Sequence, residues 1–180
     1  MRQPAVAGAF YPSLKSELVK EIEESFAKEA GMPEFGNEKG LAAVVTPHAG
    51  YFYSGWVAAF AYREIAKSFK EPPTFVIAGP NHTGQGSALS LSLQDWQMPF
   101  GVVKNDSEFG KLMQKKSRYI GLDETAHEFE HSIEVQLPFL QYLLLFPFLS
   151  PLMRFYFSLR GLSFPSISLL FQDQSNYRIQ

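Results

Sequence analysis

Residues 41–51 read LAAVVTPHAGY, and residues 74–84 read TFVIAGPNHTG. Each stretch opens with a short continuous apolar run, Leu41 to Thr46 and Thr74 to Gly79, as expected of strands buried on both faces. Each closes in a turn flanked by Pro and Gly that holds one histidine, His48 or His82. Between them, Ser54 to Phe69 carries Trp56, Val57, Ala59, Phe60, Ile65 and Phe69 as the apolar set of a helix, and Pro72-Pro73 closes it. Strand, helix and strand in this order predict a right-handed βαβ crossover joining adjacent parallel strands. The fold class read from this core is α/β, with a central largely parallel or mixed sheet flanked by helices.

Working outward, Pro4 to Pro12 reads as an extended entry segment. Ser13 can cap a helix with Leu14, Leu18, Val19, Ile22 and Phe26 on one face, ended by Gly31 and Pro33. Ser87 to Leu93 largely alternates serine with apolar residues, the pattern of a half-buried edge strand. Asp106 to Ser117 predicts a helix capped by Asp106 or Ser107. A further helix is expected from about Glu130, carrying Ile133, Val135, Leu137 and Leu140, with Pro138 shortening or kinking it.

The 180-residue chain is long enough to bury a real core, and its 46% hydrophobic and 19% charged residues exclude a disordered tail. A net charge of −2 gives no electrostatic reason to expect nucleic acid. The absence of cysteine excludes disulfides and thiolate metal sites within this chain. Met1 to Tyr11 is too weakly apolar for a signal peptide, and no run reaches the roughly 18 apolar residues of a membrane span. The expected location is the cytoplasm.

Two of the four histidines occupy equivalent places. In open α/β sheets, ligands bind outside the carboxyl ends of strands, so His48 and His82 can point into one crevice. A loop histidine bonded only to backbone is the plain alternative for each. Their matched placement favours metal ligation, because neutral imidazole is the commonest protein ligand. Two imidazoles alone do not make a tight site. The other two histidines lie in His127-Glu128-Phe129-Glu130-His131, which matches H-E-x-x-H and on a helix would suit a zinc peptidase. No later histidine exists to complete such a site, and DETAHEFEH resembles a surface helix entry. Gly50 and Gly55 bracket Tyr51 to Ser54 as a loop from which Tyr51 or Tyr53 could edge the crevice.

Four ordered motifs resemble the MEMO family: RQPAVAGAFYP at 2–12, PHAGY at 47–51, GPNH at 79–82 and EHSIEVQLP at 130–138. The resemblance covers Met1 to about Leu143. It implies a fold similar to class III extradiol dioxygenases, which use non-haem iron, and an enzyme that is dioxygenase-like at most. On it, His48 and His82 correspond to metal-pocket histidines. Phe10 and Tyr53 correspond to aromatic residues of the ligand pocket, and His131, in a motif beside the metal pair, is counted with them as a ligand-pocket residue. The implied cofactor is Fe(2+) or another divalent metal, weakly bound because further ligands are missing. The implied ligand is a small molecule or peptide, with radical-SAM and AMMECR-type proteins as possible partners. A non-catalytic module for a peptide, phosphopeptide or anionic ligand is the alternative.

The remainder departs from the family. Residues 144–180 contain no Ala, Val, Glu, Lys or Thr, and 20 of the 37 are Leu, Phe or Ser. Members of the family are longer and carry an SSDxxH segment and a further pocket residue, often Cys, in their later part. The expectation is therefore a family-like region over 1–143, incomplete relative to the family, followed by an atypical tail arising from a reading-frame shift near Leu144. That tail has no clear period, and Pro147, Pro151 and Pro165 interrupt it, so it is expected to pack poorly or to be irregular.

Overall fold

A computed structural model of the chain describes residues 1–36, 40–68, 74–145, 156–159 and 167–172, the last two segments by their backbone. Helix α1 spans Lys15–Ser25 and continues as one wider π-helical turn over Phe26–Ala30, ended at Gly31 with φ 80°. Strand β1 (Ala43–Pro47) leads through the His48 turn into α2 (Tyr51–Lys67), and β2 (Phe75–Pro80) follows. Next come β3 (Leu89–Ser92), a hairpin of β4 (Trp96–Met98) and β5 (Gly101–Val103), then α3 (Ser107–Lys116) and β6 (Gly121–Leu122). A 3₁₀ turn at Glu134–Gln136 runs into α4 (Leu137–Leu145), and two strands, β7 (Tyr156–Leu159) and β8 (Ile167–Gln172), complete the order.

Six strands form a mixed sheet in the order β1-β8-β2-β7-β3-β6. The α/β class therefore holds, with helices and a sheet of both parallel and antiparallel pairs. The two histidine-bearing strands are not neighbours as expected, because β8 lies between them and pairs antiparallel with both. β1 and β2 consequently run in the same direction in one sheet, roughly 10 Å apart. Register keeps their ends level: Leu169 of β8 faces Val45 on one side and Ala78 on the other.

Several sequence expectations need correction. Within the tail, YFSL and ISLLFQ, rich in aromatic and aliphatic residues, pair as strands inside the sheet and are not irregular; residues 146–155, 160–166 and 173–180 lie outside the described residues. Ser13 does not cap α1, whose N-cap position is Leu14 without a side-chain bond. Helix α2 starts at Tyr51 rather than Ser54, so Tyr51 to Ser54 is its first turn and not a loop. β3 is flanked by β7 and β6 and is not an edge. No helix begins at Glu130; α4 starts at Leu137, with Pro138 in the first turn, where its missing N–H is harmless. The Asp106 cap is borne out, as its carboxylate accepts from the Phe109 N–H at 3.0 Å. Phe69, Pro72, Pro73, Pro147, Pro151 and Pro165 lie outside the described residues. Among the described residues, no helix is long and apolar enough to cross a membrane.

The core lies where α1, α2 and α4 meet. Leu18, Ile22 and Phe26 from the first helix, Tyr62 and Ile65 from the second, and Phe139, Leu140 and Leu143 from the last are all buried. Phe139 is the hub: its ring stacks on Tyr62 at 4.6 Å and 2°, and meets Tyr51 at 4.8 Å and Phe26 at 5.7 Å. The outer face of α2, in contrast, exposes Phe52, Tyr53, Val57 and Phe60, an apolar stripe on the surface. Replacing Phe139 with Ala is expected to cost about 3–5 kcal/mol, read from urea unfolding. The same change at Phe129, which is 62% exposed, should leave the midpoint nearly unchanged.

Candidate metal centre

The site is built where the carboxyl ends of β1 and β2 are spanned by residues 130–136. Ser132 donates its hydroxyl to the Pro80 carbonyl at 2.9 Å, fastening this segment to β2. Gln136 donates its side-chain amide to the Pro47 carbonyl at 3.1 Å, fastening it to β1. Tyr51 adds a bond from its hydroxyl to the Val135 carbonyl at 2.7 Å. Close approach at the β2 end depends on Gly79, where a Cβ would lie 2.3 Å from Ser132 Oγ and 3.0 Å from Ile133 Cγ1.

This bridge delivers a third imidazole. His48, His82 and His131 converge so that one ligand nitrogen from each lies within 4.8 Å of the others. Ring centroids are 5.1 Å apart for His48 and His82, 5.8 Å for His48 and His131, and 4.7 Å for the near-parallel pair His82 and His131. His48 is 2% exposed, and its pKa is pulled down to about 4 by burial, then by the neighbouring His82 and His131. Burial first also lowers His131, with His82 adding to the effect. His48 and His131 are thus held neutral at pH 7, the state that binds a metal.

Two carboxylates support the group. Glu130 is 1% exposed and accepts from the backbone N–H of His82, His131 and Ser132 and from His82 Nδ1. Burial alone would raise its pKa, but the bonds from Ser132 and His82 outweigh that and hold it below the usual range. Glu134 is fully buried and accepts from Ala5 N–H at 2.8 Å, Val6 N–H at 3.0 Å and Tyr11 Oη at 2.8 Å. Arg2 pairs with Glu134 at 3.0 Å, donates to the Glu130 carbonyl and lies 3.8 Å over the Trp96 ring. The N-terminal segment is thereby tied down beside the histidines, and the Phe10 carbonyl accepts from Tyr51 N–H at 2.7 Å.

Among the sequence-predicted site residues, His48 and His82 meet as expected. His131, expected to line the ligand pocket rather than to join the metal pair, is the third member of the group. Phe10 forms part of the wall, its ring edge-on to His131 at 4.8 Å. Tyr53 stands on the first turn of α2, 75% exposed, with its ring against Phe52 at 5.2 Å. The zinc-peptidase reading is overturned, because 127–131 is not helical. His127 is buried apart from the other three, with Nε2 3.3 Å from the Ser90 carbonyl. A separate cleft of about 700 Å³, lined by Arg2, Glu124, Glu128 and Phe129 among others, includes none of the three histidines. Sequence reading missed the roles of Glu130 and Glu134. The available signal was a charged residue inside an apolar run, Ile133-Glu134-Val135, which implies a buried and therefore partnered carboxylate.

Fold and site together define an α/β protein with three imidazoles gathered at the carboxyl edge of its sheet. The Memo-like protein family model matches residues 2–153, and the chain belongs to that family. It is 49% identical over 144 residues to a MEMO1 family protein of Pyrococcus abyssi, covering 79% of this chain and 48% of the relative. It is 51% identical over 143 residues to one of Methanococcoides burtonii, covering 79% and 50%. For a relative in Methanocaldococcus jannaschii the identity is 47% over 148 residues, covering 79% and 52%. The chain thus spans about half the length of the curated relatives it matches.

Two outcomes follow from this geometry. Glu134→Ala strands Arg2, Tyr11 and two backbone N–H groups, and should cost about 3–5 kcal/mol, with faster proteolysis within residues 1–12. His127 has its pKa lowered to about 4 by burial and then by Arg2, against an ordinary value of 6.5. The unfolded chain therefore takes up a proton that the folded chain refuses between pH 6.5 and pH 4. Stability is full above that window and falls as pH drops through it. His127→Gln should flatten the fall in the urea midpoint over this window.

Proposed function

We propose that His48, His82 and His131 hold one divalent transition-metal ion and that this pocket serves a dioxygenase-like reaction. The observation that carries the reading is the convergence of three imidazoles within 4.8 Å at the carboxyl edge of the sheet. Two nitrogens sharing an ion at about 2.1 Å each stand no more than about 4.2 Å apart, so small ring rotations suffice to close the set. An all-imidazole set suits zinc, copper, iron or nickel, and iron is favoured by the resemblance to extradiol dioxygenases. Glu130 is committed to four donors, so the donor set is three histidines rather than two histidines and a carboxylate. When bound, the ion supplies a Lewis-acid centre with positions left for a ligand. Phe10 offers that ligand an apolar wall beside His131, and Tyr53 offers a phenol at the surface nearby.

A binding role without catalysis is the second reading, favoured by Phe52 and Tyr53, which lie 84% and 75% exposed shortly after His48. Calorimetric titration with Zn²⁺ and with Fe²⁺ under anaerobic conditions should give one ion per chain. His48→Ala, His82→Ala and His131→Ala should each weaken binding by roughly two orders of magnitude, and His127→Ala should not. Equal binding by all four variants would sink the site. Oxygen uptake by the Fe²⁺-loaded protein with catechols supports the enzymatic reading. Metal-independent capture of a phosphotyrosine peptide, without oxygen uptake, supports the second.

A further inference from the structure

Glu130 lies outside the group of three imidazoles yet touches two of them. Its Oε1 accepts from the backbone N–H of His131 at 2.8 Å and of Ser132 at 2.9 Å, and Oε2 accepts from the N–H of His82. The remaining contact is His82 Nδ1, 2.9 Å from Oε1. An ionised carboxylate has lone pairs and no proton to offer, so the nitrogen beside it must be the one that carries hydrogen. A neutral imidazole has a single N–H. In neutral His82 that hydrogen is on Nδ1, which leaves the lone pair on Nε2.

We infer that Glu130 is a positioning residue that locks His82 in the Nδ1–H tautomer and reserves Nε2 for ligation. This rests on reading the three imidazoles as one metal site. A purely structural acceptor would need only the three backbone donors, and the contact to the ring goes beyond them. The same Oε1 lies 3.5 Å from His131 Nδ1, too long for a good hydrogen bond. His82 and His131 are stacked at 4.7 Å and 17°, so one carboxylate orients the first ring directly and the second through that stack. Carboxylate partners of this kind hold ligand histidines in orientation and raise their basicity.

The test is long-range ¹H–¹⁵N correlation on the metal-free full chain with ¹⁵N-labelled histidine, assigned with His82→Ala. Protonated Nδ1 and unprotonated Nε2 on His82 are expected. In Glu130→Gln the amide N–H can donate to Nδ1, so the proton should move to Nε2, and Zn²⁺ affinity should fall about 10- to 100-fold. Glu130→Asp should restore the Nδ1–H form in part. A wild-type His82 protonated on Nε2 overturns the inference, as does a folded Glu130→Gln that keeps Nδ1–H. If Glu130→Gln does not fold, the wild-type spectrum alone decides: Nδ1–H supports the inference and Nε2–H rejects it. A chain with the expected tautomers that binds no Zn²⁺ rejects the metal reading and leaves the positioning role standing.

Discussion

Two carboxylates buried four residues apart, Glu130 and Glu134, govern how this molecule is put together. They are 1% and 0% exposed. A buried carboxylate left bare costs several kcal/mol, so the groups that satisfy it are constrained to be where they are. Glu134 draws the N-terminal segment inward through Arg2, Ala5, Val6 and Tyr11. Glu130 draws in the loop after β2 through His82 and holds its own chain through His131 and Ser132. The stretch that leads through the 3₁₀ turn at Glu134–Gln136 into α4 thereby becomes the point at which three distant parts of the chain are joined.

The joining explains why the site survives a sheet order that separates its two strands. β8 puts roughly 10 Å between β1 and β2, more than paired neighbours would have. Level ends and a common direction keep both histidine loops on one edge, and the 130–136 segment closes the gap from above. Ser132 on Pro80 and Gln136 on Pro47 are the two fastenings, and His131 immediately precedes the first of them. Burial there does chemical work as well: it keeps His48 neutral, so the imidazole needs no proton removed before it can ligate.

Much of the fold was legible because its signals are local. LAAVVT and TFVIAG are strands in the structure, each starting later than expected and running on into the following proline; the helix between them begins one turn early, and the Asp106 cap stands where capping chemistry put it. What failed in the sheet was non-local. Nothing in β1 or β2 says that a strand from 167–172 will lie between them, because pairing partners far apart in sequence leave no local trace. The H-E-x-x-H reading failed for a related reason. The spacing suits a helix, but Glu130 satisfies backbone N–H groups that a helix would have used internally, and the segment turns instead.

The sequence by itself determined the α/β class, the family, and His48 and His82 as a pair, since apolar runs ending in Pro/Gly-flanked histidines are readable one residue at a time. Only the tertiary structure decided that His131 completes the group and His127 does not. It alone decided that Glu130 and Glu134 are interior anchors, and that the two histidine strands are held level across a third. Each of these depends on which groups remain unsatisfied when the core closes. That is a property of the packed chain, because the donors reaching Glu134 come from 123 to 132 residues away.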